Sequence, residues 1–182
     1  MKRKFPWIYH LKLILIKCGL NNIWESQDFI NPKWLKATVK QKLKDLFINE
    51  WFSLVETSSN ATFYRIFKTK FGFEPYICKQ NKYLHYLVKF RTRNHRLPIE
   101  TGNWNRTPLN ERVCRHCRNK LGDEFHYLFE CNLFEEDRKK YLKSYFYRHP
   151  NVFKLEKLIN TDNKRELFNL ILFVKKIVIQ LK

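Results

Sequence analysis

Glycine is scarce in this chain, with four residues in 182, and proline is hardly commoner at six. That scarcity argues against a sheet-rich fold with many tight turns, whose hairpin connections demand glycine. Acidic residues are few as well, 17 against 36 Lys and Arg, leaving a formal net charge of +19. Long apolar runs are missing. The strongest C-terminal stretch, Leu167 to Val174, stops at Lys175 and Lys176, far short of the ~20 apolar residues a membrane span needs. The start, MKRKFPWIYHLKLILIKCGL, has the outline of a secretory signal, but His10, Lys12 and Lys17 interrupt it and no small-residue cleavage site follows. Cysteines number five, an odd count, and Cys18 and Cys78 stand alone in apolar surroundings. A secreted disulfide framework is thus a poor reading, and a reducing interior, nucleus or cytoplasm, is the better one.

Aromatic residues are plentiful. Sixteen Phe, nine Tyr and five Trp within a hydrophobic content of 44% supply a core, so disorder is a poor reading. The length suits one domain, or one domain with a small satellite. With turns so few, the expected class is mainly α. The positive field favours polyanions, nucleic acid first and an anionic membrane surface second, against the plainer reading of a solvated lysine-rich surface.

Chemistry concentrates between Glu111 and Phe134, ERVCRHCRNKLGDEFHYLFECNLF. Cys114, Cys117, His126 and Cys131 are spaced C-x2-C-x8-H-x4-C. Two cysteines separated by two residues sit on one tight turn with both sulfurs aimed at a common point, the arrangement tetrahedral Zn²⁺ uses. The second pair must come from an adjacent element. Gly122 and Asp123 read as a turn and an N-cap, so Glu124 onward is expected to be helical, with Phe125, Leu128 and Phe129 on its apolar face. His126 then lies in the first turn and Cys131 near the end. Buried cysteines and a satisfied histidine are the structural alternative. His116, inside the C-x2-C turn, is the rival fourth ligand, and it would point away if both flanking sulfurs point inward. A full four-ligand set indicates a closed, structural site rather than an open catalytic one.

Taken in order, residues 7 to 18 predict a helix with Trp7, Leu11, Leu15 and Cys18 on one face, ended by Asn21 and Asn22. Asn31 and Pro32 read as an N-cap and first helical residue, opening a helix to about Thr57. Its stripe is Leu35, Val39, Leu43, Leu46, Phe47 and Leu54, with a lysine face largely outside it. Thr62 to Phe71 predicts a short helix ending at Gly72, and Glu74 with Pro75 a turn. From about Gln80 a helix carries Tyr83, Leu84, Leu87, Val88 and Phe90 inward, stopped by Leu97 and Pro98. Glu135 to Tyr147 predicts a helix with Tyr141, Leu142, Tyr145 and Phe146 inward. Asn163 and Glu166 read as a capping-box-like start of a last helix with the stripe Leu167, Leu170, Ile171, Val174, Ile177, Val178 and Leu181. The expected architecture is a helical domain with a small zinc-knuckle insert, a short turn or hairpin plus a helix. Its regions are a helical segment over 1–110, the knuckle over 111–134, and C-terminal helices over 135–182 packing on the same unit.

Charge is unevenly placed. From Lys79 to Lys120 there are eleven Lys or Arg and two acids; from Leu121 to Asp137 there are six acids and no Lys or Arg. If nucleic acid binds, Arg91, Arg93, Arg96, Arg106, Arg112, Arg115 and Arg118 are the expected phosphate contacts, since the guanidinium fork matches phosphate bidentately. Trp104 either stacks on an unpaired base or anchors its loop in the core.

Phe71-Gly72-Phe73-Glu74, the run Phe90-Arg91-Thr92-Arg93-Asn94-His95-Arg96-Leu97-Pro98-Ile99-Glu100-Thr101-Gly102, then Arg112-Val113-Cys114 through Cys117, Asp123-Glu124-Phe125-His126 and Cys131 form a combined pattern. From about Trp24 to Tyr147 the chain resembles the C-terminal zinc-binding region of reverse transcriptase proteins of animal non-LTR (LINE-like) retrotransposons. The resemblance implies a zinc-knuckle-like module at the tail of a much larger polyprotein, contacting template RNA or target DNA, with this chain a separated piece. The polymerase part has no counterpart here. A Tyr/Phe-x-Asp-Asp run, whose paired carboxylates hold the catalytic metals, is absent, and Glu135, Glu136 and Asp137 form the only acidic cluster. The expectation is therefore a non-catalytic, zinc- and nucleic-acid-binding module, with a zinc-stapled structural or protein-interaction module, or a non-functional remnant of such an element, as the alternatives.

Overall fold

A computed structural model describes residues 6–79 and 81–181. Helices dominate, and the described residues contain no β-strand. Two compact units divide the chain, Met1–Leu54 and Val55–Lys182.

The first unit opens with α1 (Pro6–Lys17) and α2 (Asn21–Ser26). Gly19 adopts φ 65° between them, and the Leu20 N–H reaches back to the Leu15 carbonyl at 2.9 Å, the Schellman closure that only an αL residue allows without strain. Asn21 and Asn22, expected to end α1, instead begin α2. The face expected on α1 is buried only at its C-terminal half: Leu15 and Cys18 join Leu20 in a three-residue core, while Trp7 and Leu11 stay exposed. The core is too short to reach them. Helix α3 runs Pro32–Thr57 as the Asn-Pro signal predicts; Asn31 Oδ1 accepts the Lys33 N–H at 2.9 Å, and Pro32 fills a position whose N–H would be orphaned. Leu35 and Val39 pack on the small core. No residue of α3 is buried, so the lower part of its expected stripe has no core to enter.

The second unit begins with short pieces. A 3₁₀ turn at Ser59–Ala61, α4 (Tyr64–Phe67) and a second 3₁₀ turn at Pro75–Cys78 replace the longer helix expected from Thr62 to Phe71. Cys78 is exposed rather than apolar-packed. Helix α5 spans Leu84–Arg91 and α6 spans Pro98–Trp104; the expected start at Gln80 lies outside the described residues. Pro98 opens a helix here rather than merely stopping one. A 3₁₀ turn at Leu109–Glu111 leads to α7 (Glu124–Phe129), and another at Asn132–Phe134 to α8 (Glu135–Tyr141), α9 (Ser144–Tyr147), α10 (Val152–Ile159) and α11 (Lys164–Gln180). The helix expected over Glu135–Tyr147 breaks at Leu142, whose backbone is extended and whose side chain is buried; Tyr145 ends up exposed. Helix α10 carries no expectation from the sequence, although Asn151 caps it, accepting the Lys154 N–H at 2.9 Å.

Helix α11 is the spine of this unit. Asn163 Oδ1 accepts the Arg165 and Glu166 N–H groups at 2.9 and 3.1 Å, starting the helix where expected. Leu167, Leu170, Ile171, Phe173, Val174 and Ile177 are buried, with Leu87 and Phe90 of α5 and Phe134 in the same core. Each such side chain contributes ~1.5–3 kcal/mol of burial. Phe173, absent from the expected stripe, lies 6.3 Å from Phe134 edge-on and 6.3 Å from Tyr141 in a stack. Phe134 follows the Cys/His segment by three residues, so this core fixes the segment's C-terminal end. No helix among the described residues is long and apolar enough to cross a membrane.

Candidate metal centre

The centre is built on a tight turn and a short helix. Val113 and Leu121 form an isolated antiparallel bridge, flanked by Cys114 N–H to Lys120 O at 2.7 Å and Gly122 N–H to Arg112 O at 2.8 Å. Between them the chain turns through Arg118, at φ 57°, whose N–H closes on the Cys114 carbonyl at 2.8 Å. Gly122 is required by close packing: a Cβ there would meet the Pro98 ring at 2.7 Å and the Cys114 nitrogen at 3.1 Å. Asp123 caps α7 through the His126 N–H at 2.8 Å, placing His126 on the first turn, and the Cys131 N–H bonds the His126 carbonyl at 2.8 Å. Arg138 of α8, buried, donates to the Leu128 and Cys131 carbonyls at 2.8 Å each. It satisfies acceptors that a helix C-terminus leaves open.

These elements bring Cys114, Cys117, His126 and Cys131 together, with one ligand atom of each within 4.8 Å of the others. The Cys131 sulfur lies 3.8 Å from that of Cys114 and 3.7 Å from that of Cys117, well beyond the ~2.05 Å of a disulfide. His126 Nε2 is buried with no hydrogen-bond partner, while Nδ1 is 3.3 Å from the Glu130 carboxylate. An orphaned, buried imidazole nitrogen beside three thiols is a ligand position, and a carboxylate on the other nitrogen fixes ring and tautomer as in metal-bound histidines. The cluster can hold a metal ion. His116 is exposed and outside it.

Electrostatics prepare the sulfurs unequally. Burial opposes ionisation of Cys114, but the Cys117 N–H, the neighbouring Tyr127 hydroxyl and the His116 N–H bring its thiol down to about 6. Burial and the adjacent Cys114 push Cys131 up to about 12. Against the burial cost, Lys120 and His126 hold the Glu130 carboxyl below its usual range.

The arginines separate into two groups. Arg91 is 1% exposed; it pairs with Glu74, donates to the Ile159 carbonyl at 2.7 Å, and lies 4.3 and 4.4 Å from the Phe67 and Tyr76 ring centres. Arg93, in αL at φ 55°, grips the buried Glu124 carboxylate through Nε at 2.8 Å and Nη2 at 3.2 Å; His95 Nε2 lies 3.1 Å from the same carboxylate. Burial alone would raise Glu124, yet His95 and Arg93 hold it below the usual carboxylate range. Arg112 bonds the Thr107 and Ile99 carbonyls at 2.9 and 3.1 Å, its stem passing so near Gly102 that a Cβ there would be 2.4 Å away. These three side chains are engaged inside the protein and do not present free forks to phosphate. Arg96, Arg106, Arg115 and Arg118 are exposed. Trp104 is 55% exposed and so is not the core anchor.

The partners missed in the sequence, half-buried Glu74 and buried Glu124 and Arg138, carried one visible signal. Glu124 directly follows the cap residue that positions His126. No family model, curated protein or solved structure matches the chain.

Proposed function

We propose that this chain is a non-catalytic module in which one structural Zn²⁺ on Cys114, Cys117, His126 and Cys131 staples a helical unit that binds nucleic acid through phosphate. The sulfur spacing carries the zinc reading. Four ligands at the ~2.3 Å of a Zn–S bond place neighbouring sulfurs ~3.8 Å apart on a tetrahedron, against 3.8 and 3.7 Å here. Four protein ligands leave no open position, so the ion would supply folding energy rather than a Lewis acid.

Exposed basic groups around the turn support the nucleic-acid reading. Arg115 and Arg118 lie on it, Arg96 and Arg106 flank α6, and exposed Trp104 offers a π-face to an unpaired base. The resemblance to the retrotransposon reverse transcriptase tail points the same way, to template RNA or target DNA. The test is anisotropy with single-stranded RNA and DNA oligonucleotides across a salt series. Each neutralised phosphate contributes about −0.7 to the log–log salt slope on single strands. Arg96→Ala with Arg115→Ala should flatten that slope by about 1.4 and leave thermal unfolding unchanged. Affinity indifferent to salt would refute the phosphate reading, leaving a zinc-stapled structural or protein-interaction module.

A further inference from the structure

The break in the helix expected over Glu135–Tyr147 opens a cleft. Because the Leu142 backbone is extended, α8 and α9 part there, and Leu158 of α10 with the first turns of α11 closes the other side, enclosing about 440 Å³. That lies within the ~300–1,000 Å³ of small-molecule sites. The floor is apolar: Leu142, Phe146 and Leu158 are buried, and half-buried Tyr141 stands beside them, stacked on Phe173. The rim is basic. Exposed Lys140, Lys143 and Arg165 line it against one carboxylate, Glu166. That carboxylate is already taken by Lys143 at 2.5 Å and by the Thr161 hydroxyl at 2.8 Å. Two cations are left over. Among the described residues, Arg165 pairs with no acid, and Lys140 only leans over the Tyr141 ring, 5.4 Å from its centre. The half-buried Asn169 carboxamide lines the same cleft and makes no hydrogen bond there.

We propose that this cleft binds a nucleoside phosphate, with the base on the apolar floor and the phosphate between Lys140 and Arg165. Three features select that chemistry. Two cations without acids match a phosphate, and the Arg165 guanidinium offers it a fork. A floor of aliphatic and aromatic side chains suits a flat, largely apolar body. A carboxamide without a partner can both donate to and accept from a base edge. A fatty acid would leave Asn169 unmatched, and inorganic phosphate would leave the floor uncovered. The assignment stands on these residues and not on the arginines around the metal turn, so the two readings fail separately.

The test is calorimetric titration of the full chain with adenosine monophosphate, beside adenosine and inorganic phosphate. The monophosphate should saturate one site with a dissociation constant below about 1 mM, and each fragment should bind more weakly. Lys140→Ala with Arg165→Ala should weaken it about tenfold, with thermal unfolding unchanged because neither cation holds an internal ion pair. Asn169→Ala should weaken it less. Arg96→Ala with Arg115→Ala should leave it unaltered. Competition by a single-stranded oligonucleotide tells a nucleotide of a bound strand from a free one, and either source supports the site. No saturation by the monophosphate, or phosphate alone binding as tightly, would overturn the proposal. Displacement by an acidic peptide of equal affinity would do the same, as would binding indifferent to Lys140 and Arg165.

Discussion

Replacing Arg93 with alanine separates a structural arginine from a nucleic-acid ligand. Its guanidinium holds Glu124, whose side chain is 1% exposed while that of Arg93 is 14% exposed. Removing one member of a buried ion pair leaves the other uncompensated and costs ~3–5 kcal/mol. His95 remains on Glu124 at 3.1 Å, so the lower end applies, and Arg93→Ala should lose about 3 kcal/mol. For a unit of this size that is roughly a 10 °C fall in Tm, measurable by circular dichroism on metal-loaded protein. The pH dependence gives a second readout. Glu124 titrates below its ordinary value when folded, so its stabilisation is full above the unfolded carboxylate value of about 4.3 and is lost as pH falls through the lower folded value. Without Arg93 the folded value rises, and the acid limb of unfolding should move to higher pH. Unchanged stability combined with weakened oligonucleotide binding would refute the structural assignment. Alanine at Arg91, Arg93 and Arg96 together is a poor binding test, because two of the three are internal.

Gly122→Ala drives a methyl into the Pro98 ring and the Cys114 nitrogen; it should cost ~1–3 kcal/mol and weaken metal affinity in a competitive chelator titration. Asn163→Ala removes the cap from α11 and should cost ~1 kcal/mol in urea unfolding without changing metal content. Cobalt binding, followed by thiolate-to-metal absorption, should weaken as pH falls, because ligand protons compete with the ion. The dependence should steepen below about pH 6, where Cys114 regains its proton.

Local signals in the sequence were sufficient where the physics is local. Asn31-Pro32, Asp123 and Asn163 each mark a helix start the structure contains, because a cap is a contact within three residues. The Cys/His spacing likewise foretold a cluster built on one turn and one short helix. Burial was harder to read. The α1 and α3 stripes have helical period, but whether a stripe is covered depends on what else folds against it. Arg91, Arg93 and Arg112 read as a basic patch because composition cannot distinguish a surface arginine from one that clasps a buried carboxylate or carbonyl. Their partners lie up to 68 residues away, a pairing that only the fold supplies. Helix α10 is eight residues long, too short for its periodicity to stand out from a loop.

The most direct test of the central claim is metal content of the reduced protein by elemental analysis, wild type beside Cys114→Ser and His126→Ala. About one zinc per chain, lost from both variants together with thermal stability, is the expected result. A reduced, folded wild type without zinc, or variants that keep both their metal and their stability, would contradict it.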